Sequence, residues 1–378
     1  MTRARVGLLW AILLTTANPV RAQVAAEGWD VSLDVLNVLT RGNDVHVGDV
    51  YTERQVLTGT QAQTRFDYGV DYEPIVTRMG DNISGMFTAV RRRDGWGVGV
   101  RAWRSRSTAS VRGADQTAPS GPSSDFLTGI RMWDHSVLPV PNETQPSGIS
   151  PVTFHAASEL TNVRVEGFVE RLWIQGRALN AAARFGMAHA RVESVRSEGQ
   201  TMAAFVVDID AGSITTFTND IRLDSEGEAT MTLNGPMLAV VGDSTAGRLR
   251  IDWLIGHAAL FGTADTSGRW TDVDDITETT VADGSTLTAT TLLNGVLDHD
   301  QDDRALVSVV DLQFKASVHV AGPLRIGAGV FSSTWFNLPV APAFSIPGDW
   351  TDLQGTGWRL QQRDVTFLGY AVFAGLAF

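Results

Sequence analysis

Apolar and polar residues alternate along most of this chain with a period of two. Val31, Leu33 and Val35 alternate with Asp30, Ser32 and Asp34, and Trp96, Val98, Val100 and Ala102 with Gly97, Gly99, Arg101 and Trp103. The same rhythm runs through Phe66–Glu73, Val163–Glu170, Arg248–Ile255, Leu306–His319 and Leu324–Val330. Residues two apart share one face of a strand, so each run carries its apolar side chains on a single face. The pattern predicts ten strands: 28–39, 64–92, 96–106, 159–172, 178–193, 229–242, 247–262, 304–320, 324–337 and 364–378.

The connections fall into two classes that alternate. Arg93-Asp94-Gly95, the stretch around Gln175-Gly176-Arg177, Gly242 to Gly247, and Ala321-Gly322-Pro323 have the chemistry of tight turns. The links at 40–63, 107–158, 194–228, 263–303 and 338–362 are long and rich in Gly, Pro, Ser, Thr and Asp. A meander barrel in an outer membrane has this asymmetry, with short periplasmic turns and long outer loops. The expected fold is therefore all-β, a transmembrane antiparallel up-and-down β-barrel of about ten strands. The segment 64–92 exceeds the roughly 9–11 residues of one crossing. It has either a bulge near Pro74 or two strands; with a further strand at Phe126–Leu138, twelve is the alternative.

Both ends of the chain fit this fold. Leu368, Tyr370, Val372, Ala374 and Leu376 form a greasy row up to Phe378, opposite the small Gly369, Ala371, Gly375 and Ala377. Tyr370, Leu376 and Phe378 are the expected membrane-insertion signal, read by the barrel-assembly machinery through this last strand. Residues 1–22 read as a secretory signal peptide. Arg3 and Arg5 precede a short apolar core, and Val20-Arg21-Ala22 places small residues where a signal peptidase reads. The expected domains are the signal peptide, 1–22, and an outer-membrane barrel, 23–378.

Charge and composition narrow the partners. Losing residues 1–22 removes three arginines and no acid, taking the formal net charge from −12 to −15. An acidic chain disfavours nucleic acid, which needs basic stripes. There is no cysteine, which excludes disulfides, thiolate metal sites and an acylated N-terminal Cys. The 37 glycines suit crowded strands and turns, and the 11 tryptophans suit a bilayer interface. Trp29, Trp96, Trp173, Trp253, Trp335 and Phe336 are the candidate girdle. Outer-membrane lipid is the expected surrounding.

The alternation assigns a charged lumen. The expected pore-lining residues are Asp67, Asp71, Glu73, Arg101, Arg164, Glu166, Arg250, Asp252, Asp311, Lys315 and Arg325, with Asp30, Asp34 and Glu170 on the same rows. The expected function is a water-filled channel with a mild cation preference, passing small hydrophilic solutes or ions. The alternative is a plugged structural or surface-display barrel whose interior is filled by paired charges, with the long loops making its contacts. Arg101 and Trp103 on one inward row obstruct as readily as they filter. A secreted soluble β-sandwich would require outward rows such as Val310, Leu312 and Phe314 to pack on a second sheet.

Enzyme chemistry is not expected. No serine lies in a Gly-x-Ser-x-Gly setting and no histidine pair has zinc-ligand spacing. The run Asp298-His-Asp300-Gln-Asp302-Asp303 has the oxygen ligands calcium takes, but lacks the glycine and distal glutamate of an EF-hand, and reads as a solvated loop end. No metal or cofactor is implied.

The chain resembles the Legionella-type pore-forming major outer-membrane protein family. The matching stretches are Phe66-Asp-Tyr-Gly-Val-Asp-Tyr-Glu-Pro74, Asp94-Gly-Trp-Gly-Val-Gly-Val-Arg-Ala-Trp103, Leu233-Asn-Gly-Pro-Met-Leu-Ala239, Ala258-Ala-Leu-Phe-Gly262 and the closing strand. Residues 75–90 and the loops depart from the family's pattern. The resemblance implies an outer-membrane barrel, with pore formation ascribed to some members, and supplies no catalytic motif.

Overall fold

The computed structural model describes residues 27–378 apart from 44, 59–64, 115–125, 133–146, 150–152, 177–178, 211–212, 283–284 and 346–356. The predicted signal peptide lies outside the described residues. The described chain forms fourteen strands: β1 (Gly28–Arg41), β2 (Val45–Thr58), β3 (Arg65–Thr77), β4 (Asp81–Arg93), β5 (Trp96–Ala114), β6 (Phe126–Met132), β7 (Ser147–Ile149), β8 (Thr153–Gln175), β9 (Leu179–Asp210), β10 (Ser213–Ala246), β11 (Leu249–Ala282), β12 (Ser285–Ala321), β13 (Leu324–Ser345) and β14 (Gly357–Ala377).

Ten of these close into an antiparallel ring in the order β1-β4-β5-β8-β9-β10-β11-β12-β13-β14. The seam joins β14 to β1 in an unbroken register from Asp30↔Ala377 to Arg41↔Thr366. At its foot the Trp29 N–H donates to the Phe378 carbonyl at 2.6 Å, and the Phe378 N–H to the Trp29 carbonyl at 3.0 Å. Closure leaves no sheet edge inside the bilayer, where an unpaired backbone group costs several kcal/mol. The turns at Asp94-Gly95 and Gly322-Pro323 sit where the sequence puts them; the link expected at 242–247 is strand up to Ala246 and turns at Gly247-Arg248, and residues 177–178 lie outside the described residues. Asp94 and Gly95 both adopt positive φ, 52° and 75°, matching the twist of the flanking strands β4 and β5.

Two expectations need correction. The segment 64–92 is two strands, and only β4 belongs to the ring. Strand β3 pairs with β2 in a separate three-stranded sheet, β3-β2-β6. The strand expected near Phe126 also lies there, as β6, so the barrel has ten strands and not twelve. The long links are also not loops for most of their length. β9 and β10 run paired from Leu179↔Ser244 to Asp210↔Ser213, and β11 and β12 from Leu249↔Val318 to Ala282↔Ser285. Their Thr- and acid-rich outer halves keep the ladder because each is flanked by another strand of equal length. Gly and Ser content reads as loop only when that neighbour is unseen.

The outward faces mark the bilayer. On β11 the outward row is Ile251, Trp253, Ile255, His257, Ala259 and Phe261, then Thr263, Asp265 and Ser267. The apolar part spans about eleven residues, one membrane crossing. Trp29 and Trp96 sit at the periplasmic rim, each with an arginine, Arg91 and Arg171, over its ring at 5.9 and 4.8 Å. Trp173 is likewise exposed at the foot of β8. The protein is thus a transmembrane β-barrel of the bacterial outer membrane. Trp335 departs from the girdle expectation: it is 0% exposed and points into the lumen.

The band predicts the effect of a charge on it. Phe314 is outward on β12, between Trp253 and Val330 on the neighbouring strands. Phe314→Arg is expected to cost about 2–4 kcal/mol, as arginine does near a bilayer midplane. The check is the urea midpoint of the variant in lipid vesicles; an unchanged midpoint would remove β12 from the lipid face.

Candidate functional site

The inward faces of the barrel strands fill the lumen in two layers. The periplasmic half is ionic. Arg101 on β5 makes two hydrogen bonds to Glu166 on β8, at 2.8 and 2.7 Å, and a third to Asp311 on β12 at 2.6 Å. Arg164 on β8 holds the same two carboxylates at 2.7 and 2.9 Å. Ser333 on β13 donates to the other Asp311 oxygen at 2.6 Å. All five side chains are buried. β5 and β12 are five strands apart in either direction round the ring, so the Arg101–Asp311 bond crosses its full width.

Below this bridge the charges continue in pairs. Glu170 binds Arg92 at 2.6 Å and Arg184 at 3.1 Å. Asp30 binds Arg325 at 2.5 Å, Arg92 at 3.3 Å and Arg250 at 3.5 Å. Arg250 also holds Asp252 at 2.7 Å and approaches Asp243 at 3.8 Å. Lys315 pairs with Asp34. The network has seven cations against seven carboxylates, so it carries no net charge. A cavity of about 120 Å³ remains among these groups at the periplasmic end, bounded on the inner side by Arg101.

The outer half of the lumen is mainly apolar, with Thr40, Ser105, Ser107 and Asn162 as buried polar exceptions. Trp103 meets Phe331 and Phe367 edge-on, with ring centroids 5.0 and 5.1 Å apart, and Trp335 stands 6.3 Å from Phe367. Leu36, Val38, Leu160, Met231, Leu260, Val307 and Leu338 pack round them, all fully buried. The layers are joined, since the Trp335 indole N–H donates to Ser333 at 3.0 Å and the Arg164 guanidinium lies 5.9 Å from the Trp335 ring.

A strap covers this plug. β13 leaves the wall after Trp335, through a register shift and Asn337 at φ 58°. Its continuation, Leu338–Ala343, is wholly buried. The Ala341 N–H donates to Ser194 on β9 at 3.1 Å, and the Pro342 carbonyl packs where a Cβ on Gly227 of β10 would stand. β14 follows, and Trp358 stacks on His299 of β12 with centroids 5.9 Å apart. The β13–β14 hairpin therefore folds inward across the outer mouth.

Of the predicted pore-lining residues, Arg101, Arg164, Glu166, Arg250, Asp252, Asp311, Lys315 and Arg325 all face the lumen. Asp67, Asp71 and Glu73 do not lie on a ring strand: β3 belongs to the separate sheet, and their side chains are outside the described residues. Arg101 and Arg164 pair with Glu166 and Asp311, and Arg250 with Asp30 and Asp252. The sequence reading missed Arg92 and Arg184, and Asp243, which it placed in a turn. Arg92 is hidden because the alternation leaves open whether 64–92 is one strand or two, and splitting it at Met79-Gly80 recovers the phase. Arg184 lies in an Ala- and Gly-rich run without clear alternation.

Beyond the membrane, β9 to β12 rise as a palisade. The run 298–303 is part of β12 and not a loop end, and no cluster of three metal-ligating side chains occurs among the described residues. On β11, burial and then the neighbouring Asp274 push the Asp272 carboxyl up to about 6. Burial raises Asp274 as well.

No family model matches this chain, and no curated protein does. Among solved structures it is similar to the outer membrane protease OmpT from Escherichia coli, at 8% identity and a TM-score of 0.35, covering 94% of this chain and 98% of that one. It is also similar to the Pseudomonas putida toluene transporter TodX, at 8% identity and a TM-score of 0.30, over 93% and 91%. A Pseudomonas aeruginosa FadL homologue follows at 10% identity and 0.20, over 93% and 90%. Likeness this slight carries neither substrate nor activity across.

Two outcomes follow from this geometry. Asp311→Leu leaves Arg101 and Arg164 sharing one carboxylate in a desolvated layer. Breaking such a network costs about 3–5 kcal/mol, read as a lower temperature for the shift from folded to unfolded mobility in a gel. Asp272 gives a pH effect of the opposite sense to an ordinary salt-bridged acid. Its folded pKa is raised, so the folded hairpin holds a proton that the unfolded chain releases. Stability of the hairpin is full below the ordinary carboxylate range and falls as pH climbs through about 6. Hydrogen exchange of residues 270–296 should slow on acidification, after correction for intrinsic rates, and Asp272→Asn should flatten that response.

Proposed function

We propose that this protein is a closed outer-membrane barrel that acts through its outer palisade. The observation that carries the reading is the Arg101–Asp311 bridge across the full width of the ring, roofed by Trp103, Phe331 and Phe367. A solute would have to break a buried, neutral ion network and then displace three aromatic rings. The strap at Leu338–Ala343 is a further barrier in the same path. The equal numbers of lumen cations and carboxylates also argue against a cation-selective field, because selectivity needs an excess of one sign. The reading has no catalytic step. Kinship with the Legionella-type family, drawn from the motif series, is part of the same proposal.

The second reading is a porin for small hydrophilic solutes. The charged cavity at the periplasmic end favours it, because that cavity is a vestibule in search of an exit. The exit would have to be made by movement of the β13–β14 hairpin about Asn337.

Planar-bilayer recording of the refolded protein in a salt gradient separates the two. Silence is expected from protein whose insertion is verified by its heat-modifiable mobility. Stable steps with a cation-biased reversal potential would reject the closed barrel and establish the porin.

A further inference from the structure

Among the described residues, the outer part of β12 is paired along one edge only. Its pairing with β13 stops at Ser308↔Phe336, because β13 turns inward there to form the strap. Over 285–307 its one ladder among the described strands is with β11. This free edge extends about 75 Å at some 3.4 Å per residue, and all of it but its base at Leu306 and Val307 stands above the apolar band.

Proteins blunt such edges with lysine, proline or bulges, since the free N–H and C=O groups invite another strand. From Ser285 to Leu297 this edge has no charge and no proline. It displays Leu287, Leu293 and Leu297 on one face and Leu292 and Val296 on the other, with Leu287 73% exposed. The membrane does not cover them: the outward row below is already polar at Asp298, Asp300 and Asp302 before the lipid-facing residues begin at Leu306.

Charge selects the occupant. The outer segments 191–210, 213–232, 263–282 and 285–304 hold 17 Asp and Glu against five Arg and no Lys. Their net charge of −12 equals that of the whole 378-residue chain. A second copy brought edge to edge would set two such fields against each other. A cationic strand would gain from the field and from the edge together.

We infer that the 285–307 edge of β12 binds an extended, basic polypeptide segment by strand addition. The bound segment has an apolar stretch alongside Leu287–Leu297 and Lys or Arg alongside Asp298–Asp303. Main-chain hydrogen bonds supply affinity, and the acidic end of the edge sets the direction in which the segment lies. The inference deepens the palisade reading and rests on it for its setting, but binding and conductance are separate measurements. A conducting protein that binds the peptide would overturn the closed barrel alone.

The test uses the full chain in lipid nanodiscs and three fluorescent peptides: an apolar stretch with a lysine tail, its glutamate-tailed twin, and the lysine peptide interrupted by prolines. Fluorescence anisotropy should show the first binding at least about tenfold more tightly than either other, a gap of about 1.4 kcal/mol. Its affinity should drop as ionic strength rises from about 0.1 to 1 M, which shortens the Debye length from about 10 to 3 Å. Leu292→Lys with Val296→Lys should abolish binding. Asp300→Asn with Asp302→Asn, a milder change that keeps the strand intact, should weaken it and flatten its salt dependence. Equal binding of the three peptides, or wild-type affinity in both variants, overturns the inference. So does sedimentation that finds wild-type dimers, lost in the lysine variant, without peptide uptake.

Discussion

A carboxylate sealed inside a narrow ring has to find its countercharge on another strand, and for Asp311 that means reaching across the lumen. Removing a single carboxylate from water costs several kcal/mol even after relaxation. Asp311 offsets this with Arg101, Arg164 and Ser333, drawn from three other strands. The contact demands that β5, β8, β12 and β13 hold one relative height, so it pins the stagger of the barrel. A shift of one residue on any of them would turn its lumen row towards lipid. The lower pairs, Asp30 with Arg325 and Asp34 with Lys315, impose the same demand on the seam strand β1.

That constraint shapes what lies above it. Once the ionic layer fills the lower lumen, no water column reaches the outer half. The inward residues there can be apolar without penalty, and Trp103, Phe331, Phe367 and Trp335 use that freedom. An apolar lumen would still face water at its outer mouth. The β13–β14 hairpin covers it, and Gly227 leaves room for Pro342 to approach the far wall. Covering the mouth takes β13 out of the wall, and its departure is what leaves the outer part of β12 with β11 as its one neighbour among the described strands. The free edge is thus a consequence of the plug.

Much of this was legible in the chain. Period-two runs located nine of the ten ring strands to within a few residues where they cross the bilayer, because each crossing has lipid on one side and a packed interior on the other. The turns were legible because Asp94-Gly95 and Gly322-Pro323 have few alternatives. What failed shares a cause. Within 64–92 the phase of alternation changes where β3 gives way to β4, and a period read without its pairing partner hides that break. The outer halves of β9 to β12 have water on both faces, or a partly filled mouth on one, so their side chains need not alternate and Thr and Asp serve as well as Val. The strap read as loop because Pro339 and Pro342 are poor members of a ladder; they are tolerated where β13 runs irregularly and at a sheet margin.

The lumen row was found, but its meaning was set by partners that no single strand reveals. Arg101, Glu166 and Asp311 look the same in sequence whether they line water or one another. Only their convergence makes them a bridge, and only the equality of opposite charges makes that bridge neutral. The acids outside the membrane have no such balance. Interior carboxylates are matched one for one by arginine and lysine, while the palisade keeps a surplus as large as the net charge of the chain. A surplus on a rigid sheet raises the local concentration of cations and slows its own kind. It is placed beside the longest stretch of one-sided strand in the described structure, so attraction at long range and pairing at short range act on the same partner.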